Sequence, residues 1–191
     1  HRPFRRQRQM CIRDRLWAAQ DLGWELFYME PRHLYSKQGM AMGLMAQLKV
    51  MRDPHHFYDL DYPQPLPLGD LDVILMRKDP PFDTNFLHTT YLLSQAEDAG
   101  ALIINKPQSL RDCNEKLFAT QFPECCPEVL VASDAKVLKA FHAFHEDVIF
   151  KPLDGMGGAS IFRAGKGEPN LNVIIETLTE FGQQQIMAQR Y

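Results

Sequence analysis

Residues 151–160 read Lys151-Pro152-Leu153-Asp154-Gly155-Met156-Gly157-Gly158-Ala159-Ser160, a lysine followed by a glycine-rich loop. The apolar runs 148–150 and 161–162 predict a strand on each side of this loop. Glycines let several backbone N–H groups turn toward one anion, and the lysine adds a positive charge. The stretch therefore predicts a lid over nucleotide phosphates, although a flexible hairpin turn would give the same pattern.

Two common nucleotide-binding motifs are excluded. The pair Gly165-Lys166 is followed by Gly167 rather than by Ser or Thr, so it does not form a Walker A loop. No G-x-G-x-x-G run opens a predicted helix, so the Rossmann fingerprint is absent from the sequence. A phosphate site in the glycine-rich loop would therefore belong to another class of fold.

The composition indicates an ordinary globular protein. The 191 residues are 45% hydrophobic and 24% charged. No apolar run approaches the roughly 20 residues of a membrane span, and we expect no membrane partner. The four cysteines have no metal-like spacing, so we expect reduced thiols and a cytoplasmic location. The net charge of −3 argues against nucleic acid as a partner.

Residues 1–15 differ from the rest of the chain. They contain six arginines and a single acid, Asp14. We interpret them as a non-native leader. The alternative is a basic arm that binds nucleic acid or an acidic partner.

The residues after this leader predict an α/β domain with a parallel sheet. A strand at 72–77, a helix that begins near Thr84 and a strand at 101–104 predict two parallel strands with a right-handed crossover. Upstream, a helix ends at Gly23, a strand covers 25–29, and Gln38-Gly39 is the turn of a hairpin. The second hairpin strand is predicted to bury one alternating set, Met40, Met42, Leu44, Ala46, Leu48 and Val50. We interpret 53–69 as a loop.

A smaller α+β domain is predicted from residue 112 onward. Asp112 and Glu115 have the spacing of a capping box, so we expect a helix to begin there, with Lys116 in its first turn. The helix dipole disfavours a cation at that place, and an anionic partner or simple solvation would offset the effect. A strand at 128–131, a helix capped by Ser133, a strand at 148–151, a helix after Asn170 and a strand at 185–191 complete the domain. The apolar face of the first of these two helices is predicted to be Val137, Leu138, Phe141 and Phe144.

Three stretches of the chain together resemble the prokaryotic glutathione synthetases, a family of ATP-grasp ligases. They are residues 70–83, with Arg77-Lys78-Asp79-Pro80-Pro81-Phe82-Asp83, residues 105–117, with Asn105-Lys106-Pro107 and Glu115-Lys116-Leu117, and residues 151–162. The two lysines and the glycine-rich loop would fit many ATP-grasp enzymes, whereas the run from Arg77 to Asp83 points to this family. The resemblance covers residues 16–191. It implies a substrate-binding N-terminal domain at 16–111 and a partial ATP-grasp domain at 112–191.

The resemblance implies an ATP-dependent ligation. ATP would phosphorylate the terminal carboxylate of γ-glutamylcysteine, and the amine of glycine would attack the acyl phosphate to give glutathione, ADP and phosphate. Two alternatives remain open at this point: another ATP-grasp carboxylate–amine ligase, and a nucleotide-binding fragment without catalysis. The resemblance also implies that the chain is an internal fragment, inactive by itself, and that the whole enzyme can form a homo-oligomer.

The resemblance assigns roles to particular residues. Lys116 and Lys151 would bind the ATP phosphates. The covering loop would be formed by Gly155, Met156, Gly157 and Gly158. Gln189 and Tyr191 would begin the hinge that holds adenine through backbone hydrogen bonds, and Arg77 is a candidate for binding a substrate carboxylate. The expected metal is magnesium or manganese with ligands beyond Tyr191, so we predict no catalytic and no metal-binding residue within the chain.

Overall fold

The computed structural model describes residues 2–53, 55–78, 81–155 and 157–191, with side chains from residue 12 onward. The chain divides into two compact units. Unit 1 comprises His1–Lys78 and Thr84–Gln108, and unit 2 comprises Asp79–Asp83 and Ser109–Tyr191. No helix within the described ranges combines the length and the apolar character needed to cross a membrane.

Unit 1 is an α/β unit built around one long strand. Its elements are α1 (Arg2–Asp21), β1 (Leu26–Tyr28), β2 (Leu34–Lys37), β3 (Met40–Val50), β4 (Tyr58–Leu60), β5 (Gln64–Pro67), β6 (Val73–Leu75), α2 (Thr84–Asp98) and β7 (Leu102–Ile104). Strands β1, β2, β4 and β5 all pair antiparallel with β3. The helix α3 (Pro107–Asp112) follows β7.

The predicted strand–helix–strand segment is confirmed. β6 and β7 are parallel, with Ile74 opposite Ile103, and α2 connects them. Both isoleucines are buried and belong to one core cluster with Leu93 and Ala96 of α2. The apolar face of α2 therefore covers one side of the strand pair, as a crossover connection requires.

The hairpin turn is confirmed, but the single buried face of β3 is wrong. Gln38 and Gly39 both have positive φ, 52° and 79°, as a two-residue primed turn requires. In the first half of β3 the buried residues are Ala41, Gly43 and Met45, while Met40 is 55% exposed. In the second half the predicted set, Ala46, Leu48 and Val50, is buried. The buried face changes because the first half joins the core cluster of α2, whereas the end of β3 packs with α1 through hydrogen bonds between Val50 and Gln20.

The interpretation of 53–69 as a loop is also wrong. Two short strands, β4 and β5, lie in this segment and pair with β3. They are only three and four residues long, and β5 contains Pro65 and Pro67. Three residues are too few for β4 to show the alternation that identifies a strand, and the prolines of β5 argue against a strand although they are tolerated at a sheet edge.

Unit 2 is a four-stranded antiparallel sheet with helices on one face. Its elements are β8 (Val129–Ala132), α4 (Ala135–His145), β9 (Val148–Pro152), β10 (Phe162–Ala164), α5 (Leu171–Leu178) and β11 (Ile186–Arg190), and the strand order is β10-β9-β11-β8. The core contains fully buried side chains from the strands and both helices, such as Leu138, Val148, Phe150, Ile175 and Ile186. An α/β unit followed by an α+β unit agrees with the predicted fold class.

Helix α4 differs from its prediction in its cap and in its buried face. The capping side chain is that of Asp134, which accepts hydrogen bonds from the backbone N–H groups of Lys136 and Val137, and not that of Ser133. Leu138 is buried as predicted, but Phe144 is 80% exposed. The buried residues Leu138 and His142 are four positions apart and share one face, whereas Phe144 is six positions from Leu138 and lies about 120° around the helix from it.

Candidate functional site

The strand register of unit 2 separates a core face from an outer face. Arg163 of β10 and Gln189 of β11 both lie opposite Ile149 of β9, and directly opposed residues point to the same side of a sheet. Lys151 follows Ile149 by two residues and Tyr191 follows Gln189 by two residues, so both share this side of the sheet. We use the term outer face for Ile149, Lys151, Arg163, Gln189 and Tyr191. The alternate residues, such as Phe150, form the core.

Lys151 lies partly buried on the outer face. Its Nζ donates a hydrogen bond to Oε1 of Gln189 at 2.5 Å. Burial lowers the pKa of Lys151 below its usual value, and the charge of Lys116 lowers the pKa further. Two ammonium groups close together in a partly desolvated place repel each other, and an anion bound between them would relieve the repulsion.

The side chain of Lys116 contacts the first residues of the glycine-rich loop. Its Nζ donates to the carbonyl oxygens of Leu153 at 3.1 Å and of Gly155 at 2.6 Å, and it contacts Oε1 of Glu115 at 3.1 Å. The side chain is only 14% exposed. The structure thus brings Lys116 and Lys151, which are far apart in the chain, to the same part of unit 2.

A turn formed by Asn114 positions Lys116, in place of the predicted helix. Helix α3 ends at Asp112, and a short 3-10 helix covers Phe118–Gln121. Between them, Oδ1 of Asn114 accepts hydrogen bonds from the backbone N–H groups of Lys116 and Leu117, both at 3.0 Å. The capping box at Asp112 is therefore wrong, because an asparagine side chain that bonds its own downstream backbone competes with helix formation.

The same asparagine ties this turn to the glycine-rich loop. Nδ2 of Asn114 donates to Oδ1 of Asp154 at 3.2 Å. Together with the two bonds of Lys116 to loop carbonyls, this contact sets the position of the loop relative to the lysine. The sequence contained a signal for this role, since Asn is a frequent residue in side-chain-capped turns.

Three glycines of the loop are required for two different reasons. Gly157 and Gly158 are exposed and have φ values of +72° and +80°, which residues other than glycine rarely adopt. At Gly155 the φ is ordinary, but an added Cβ would lie 2.9 Å from Cγ of Pro152. Met156, the fourth predicted residue of the loop, lies outside the described residues.

Tyr191, which directly follows β11, is held by a second group of contacts. The backbone N–H of Tyr191 donates to the carbonyl oxygen of Asp147 at 3.0 Å. The Tyr191 ring lies against the guanidinium of Arg163, whose Cζ is 3.4 Å from the ring centroid. Arg163 and Asp147 were missed by sequence reasoning. No local pattern links them, since they are 16 positions apart and meet only when β9 and β10 pair.

Arg77 belongs to unit 1. It is exposed and follows the end of β6 by two residues. Its predicted contact with a substrate carboxylate stays a prediction. Asp79 and Pro80 of the same motif lie outside the described residues. Within the described part of the chain, no group of three or more His, Cys, Asp or Glu residues could hold a metal ion.

Comparison with known proteins accounts for both units. Residues 15–111 match the family model of the prokaryotic glutathione synthetase N-terminal domain, and residues 115–191 match that of the prokaryotic glutathione synthetase ATP-grasp domain. The glutathione synthetases of Pseudomonas aeruginosa and Pseudomonas syringae pv. tomato are 60% and 61% identical to this chain over 176 residues. The alignments cover 92% of the chain but 56% and 55% of those proteins, so the chain spans little more than half the length of these curated relatives.

Solved structures share the fold at low sequence identity. The D-cycloserine synthetase DcsG matches with a TM-score of 0.51 at 14% identity, over 66% of this chain and 46% of its own. The D-alanyl-alanine synthetase A of Vibrio cholerae matches with a TM-score of 0.51 at 12% identity, over 83% of this chain and 48% of its own. The two family models follow each other along nearly the whole sequence, and the chain therefore belongs to the prokaryotic glutathione synthetase family.

Proposed function

We propose that this protein takes part in the ATP-dependent ligation of γ-glutamylcysteine and glycine, which gives glutathione, ADP and phosphate. The observation that carries the proposal is the meeting of Lys116, Lys151 and the glycine-rich loop in unit 2. Family membership and the identity to glutathione synthetases support the choice of reaction.

The two lysines would hold the phosphates of ATP. Their present partners are a side-chain amide oxygen, two backbone carbonyl oxygens and the exposed carboxylate of Glu115. A triphosphate carries several negative charges and would compete well for both ammonium groups. When Lys116 turns to a phosphate, the carbonyls of Leu153 and Gly155 are released, so binding of the anion would also change the conformation of the loop.

The remaining parts of the proposal concern the base, the metal and the second substrate. Gln189 and Tyr191 would hold adenine through backbone hydrogen bonds, and Arg77 would bind a substrate carboxylate. Magnesium or manganese would neutralise negative charge on the phosphates. None of the described residues is assigned to that metal. Cys113, Cys125 and Cys126 are free thiols, which fits a cytoplasmic location. Formation of a homo-oligomer would be measured by sedimentation.

An assay with two lengths of chain tests this function. We expect a chain extended to the length of the P. aeruginosa relative to form ADP and glutathione from γ-glutamylcysteine, glycine, ATP and magnesium. We expect the 191-residue chain to bind ATP without turnover. Glycine is then replaced by D-alanine or glutamate as acceptor. Equal turnover with those amines would contradict the assignment to glutathione synthesis and favour another ATP-grasp ligase.

The lowered pKa of Lys151 predicts proton uptake when a triphosphate binds. In the free protein Lys151 loses its proton at a lower pH than a solvated lysine, so stability rises as pH increases from that lowered pKa toward 10.5. A bound anion favours the charged form and raises the pKa again. We therefore expect proton uptake on ATP binding at pH values around the lowered pKa of Lys151, and none well below it.

Calorimetry in two buffers of different ionisation enthalpy measures this uptake. The variant Lys151→Met should bind ATP without proton uptake. Lys139→Met, which removes an exposed lysine of α4, should leave it unchanged. Equal binding enthalpies in both buffers for the unmodified chain would show that the anion does not reach Lys151.

A further inference from the structure

Asp147, Arg163 and Tyr191 form a cluster at one edge of the outer face. Nε and Nη2 of Arg163 donate to the two carboxylate oxygens of Asp147 at 3.0 and 2.7 Å. The same guanidinium lies 3.4 Å from the centroid of the Tyr191 ring, and the Tyr191 N–H donates to the Asp147 carbonyl. Asp147 therefore accepts a hydrogen bond from the Tyr191 backbone and also binds Arg163, which lies against the Tyr191 ring.

This cluster restricts the Tyr191 ring. A guanidinium bound by both nitrogens to one carboxylate has a fixed plane, so Arg163 presents one flat face to the ring. The ion pair lowers the pKa of Asp147 and raises that of Arg163, and both groups stay charged at neutral pH. Tyr191 is 68% exposed, so ordinary packing restrains the ring little and the Arg163 contact decides its position.

The cluster also lies at the correct end of the sheet. Asp147 lies four residues before Lys151, about 13 Å along the strand, and Arg163, opposite Ile149, lies about 7 Å from the level of Lys151. The glycine-rich loop follows the other end of β9, so the cluster lies on the side of Lys151 away from the proposed phosphate lid. The cluster is therefore at the base end of the proposed site, beside the residues that would hold adenine.

We infer that Arg163 is a positioning residue for the base end of the nucleotide, acting through Tyr191 and not through the triphosphate. The inference rests on the proposed function, in which Tyr191 and Gln189 hold adenine. It adds to the site an ion pair, Arg163–Asp147, that neither the sequence nor the family comparison assigns.

Two ligands separate the base end from the phosphate end. Calorimetry on the 191-residue chain is carried out with ATP and with inorganic triphosphate. Arg163→Ala should weaken ATP binding about fivefold, the size of a surface cation–π contact, and leave triphosphate binding unchanged. Lys166→Ala removes a nearby exposed cation that pairs with Glu146, and it should change neither affinity.

A double-mutant cycle shows whether Arg163 acts through Tyr191. If it does, Arg163→Ala combined with Tyr191→Ala should weaken ATP binding no more than Tyr191→Ala alone. Additive losses would overturn the inference, because Arg163 would then act independently of Tyr191. A loss of triphosphate affinity in Arg163→Ala would also overturn it, because the effect would not be confined to the base end. A merely structural defect would lower both affinities together.

The unmodified chain distinguishes failure of this inference from failure of the proposed function. If the chain binds neither ATP nor triphosphate, both this inference and the proposed function are overturned. If it binds the two ligands equally well, the phosphate site stands, but the base contributes nothing and the role of Arg163 is overturned. Tighter binding of ATP than of triphosphate, lost in Arg163→Ala, supports both.

Discussion

Replacing Lys151 with methionine is expected to weaken the binding of ATP and of inorganic triphosphate to this chain by about 10- to 100-fold. A partly buried contact between a lysine and a phosphate oxygen is worth about 1.5–3 kcal/mol, and each 1.4 kcal/mol is about a tenfold change in affinity. Lys116→Met should have an effect of the same order, because its ammonium group bonds the glycine-rich loop and lies close enough to Lys151 to lower the pKa of that lysine. Isothermal titration calorimetry at low ionic strength measures both losses.

These variants should bind the ligands more weakly without becoming less stable. Lys151 is partly desolvated and close to a like charge, so Lys151→Met removes an unfavourable interaction along with the bond to Gln189. We expect its free energy of unfolding to be unchanged or higher, a pattern typical of a residue kept for binding. Lys139→Met is the matched control and should alter neither property. An unstable Lys151→Met variant would assign this lysine to the fold and not to a ligand.

Replacing Phe150 with alanine is expected to destabilise unit 2 by about 3–5 kcal/mol. Phe150 is fully buried in β9, lies opposite Phe162 and Ala188 on the neighbouring strands, and is part of the core under α4 and α5. Because it alternates with Ile149 and Lys151, loss of this anchor would also disturb the outer face. The affinity for triphosphate should fall with the stability.

Amide hydrogen exchange is a suitable measurement for this variant. Both tryptophans, Trp17 and Trp24, lie in unit 1, so their fluorescence does not report on unit 2. Exchange at β9 and β11 should accelerate strongly in Phe150→Ala. In Phe144→Ala, which removes a ring that is 80% exposed, exchange should stay close to that of the unmodified chain. Equal effects of the two substitutions would show that the assigned core face is wrong.

The turn at Gln38-Gly39, the parallel pair β6 and β7, and the strands of unit 2 were predicted, because each depends on a local pattern of turn residues or hydrophobicity. The strands β4 and β5 were missed, and the cap of α4 was assigned one residue too early. Those errors arose where strands are only three or four residues long, one of them with two prolines, and where two adjacent residues can both cap a helix.

The sequence by itself determined the order of most strands and helices, the glycine-rich loop after Lys151 and the family to which the chain belongs. Local chemistry suffices for these, since turn residues, apolar periodicity and motif spacing act within a few residues. Only the tertiary structure decided that Lys116 reaches the loop, that Gln189 meets Lys151 and that Arg163 lies between Asp147 and Tyr191. These contacts join residues 16 to 39 positions apart. They depend on strand register, which the burial of the whole core selects and no local segment encodes.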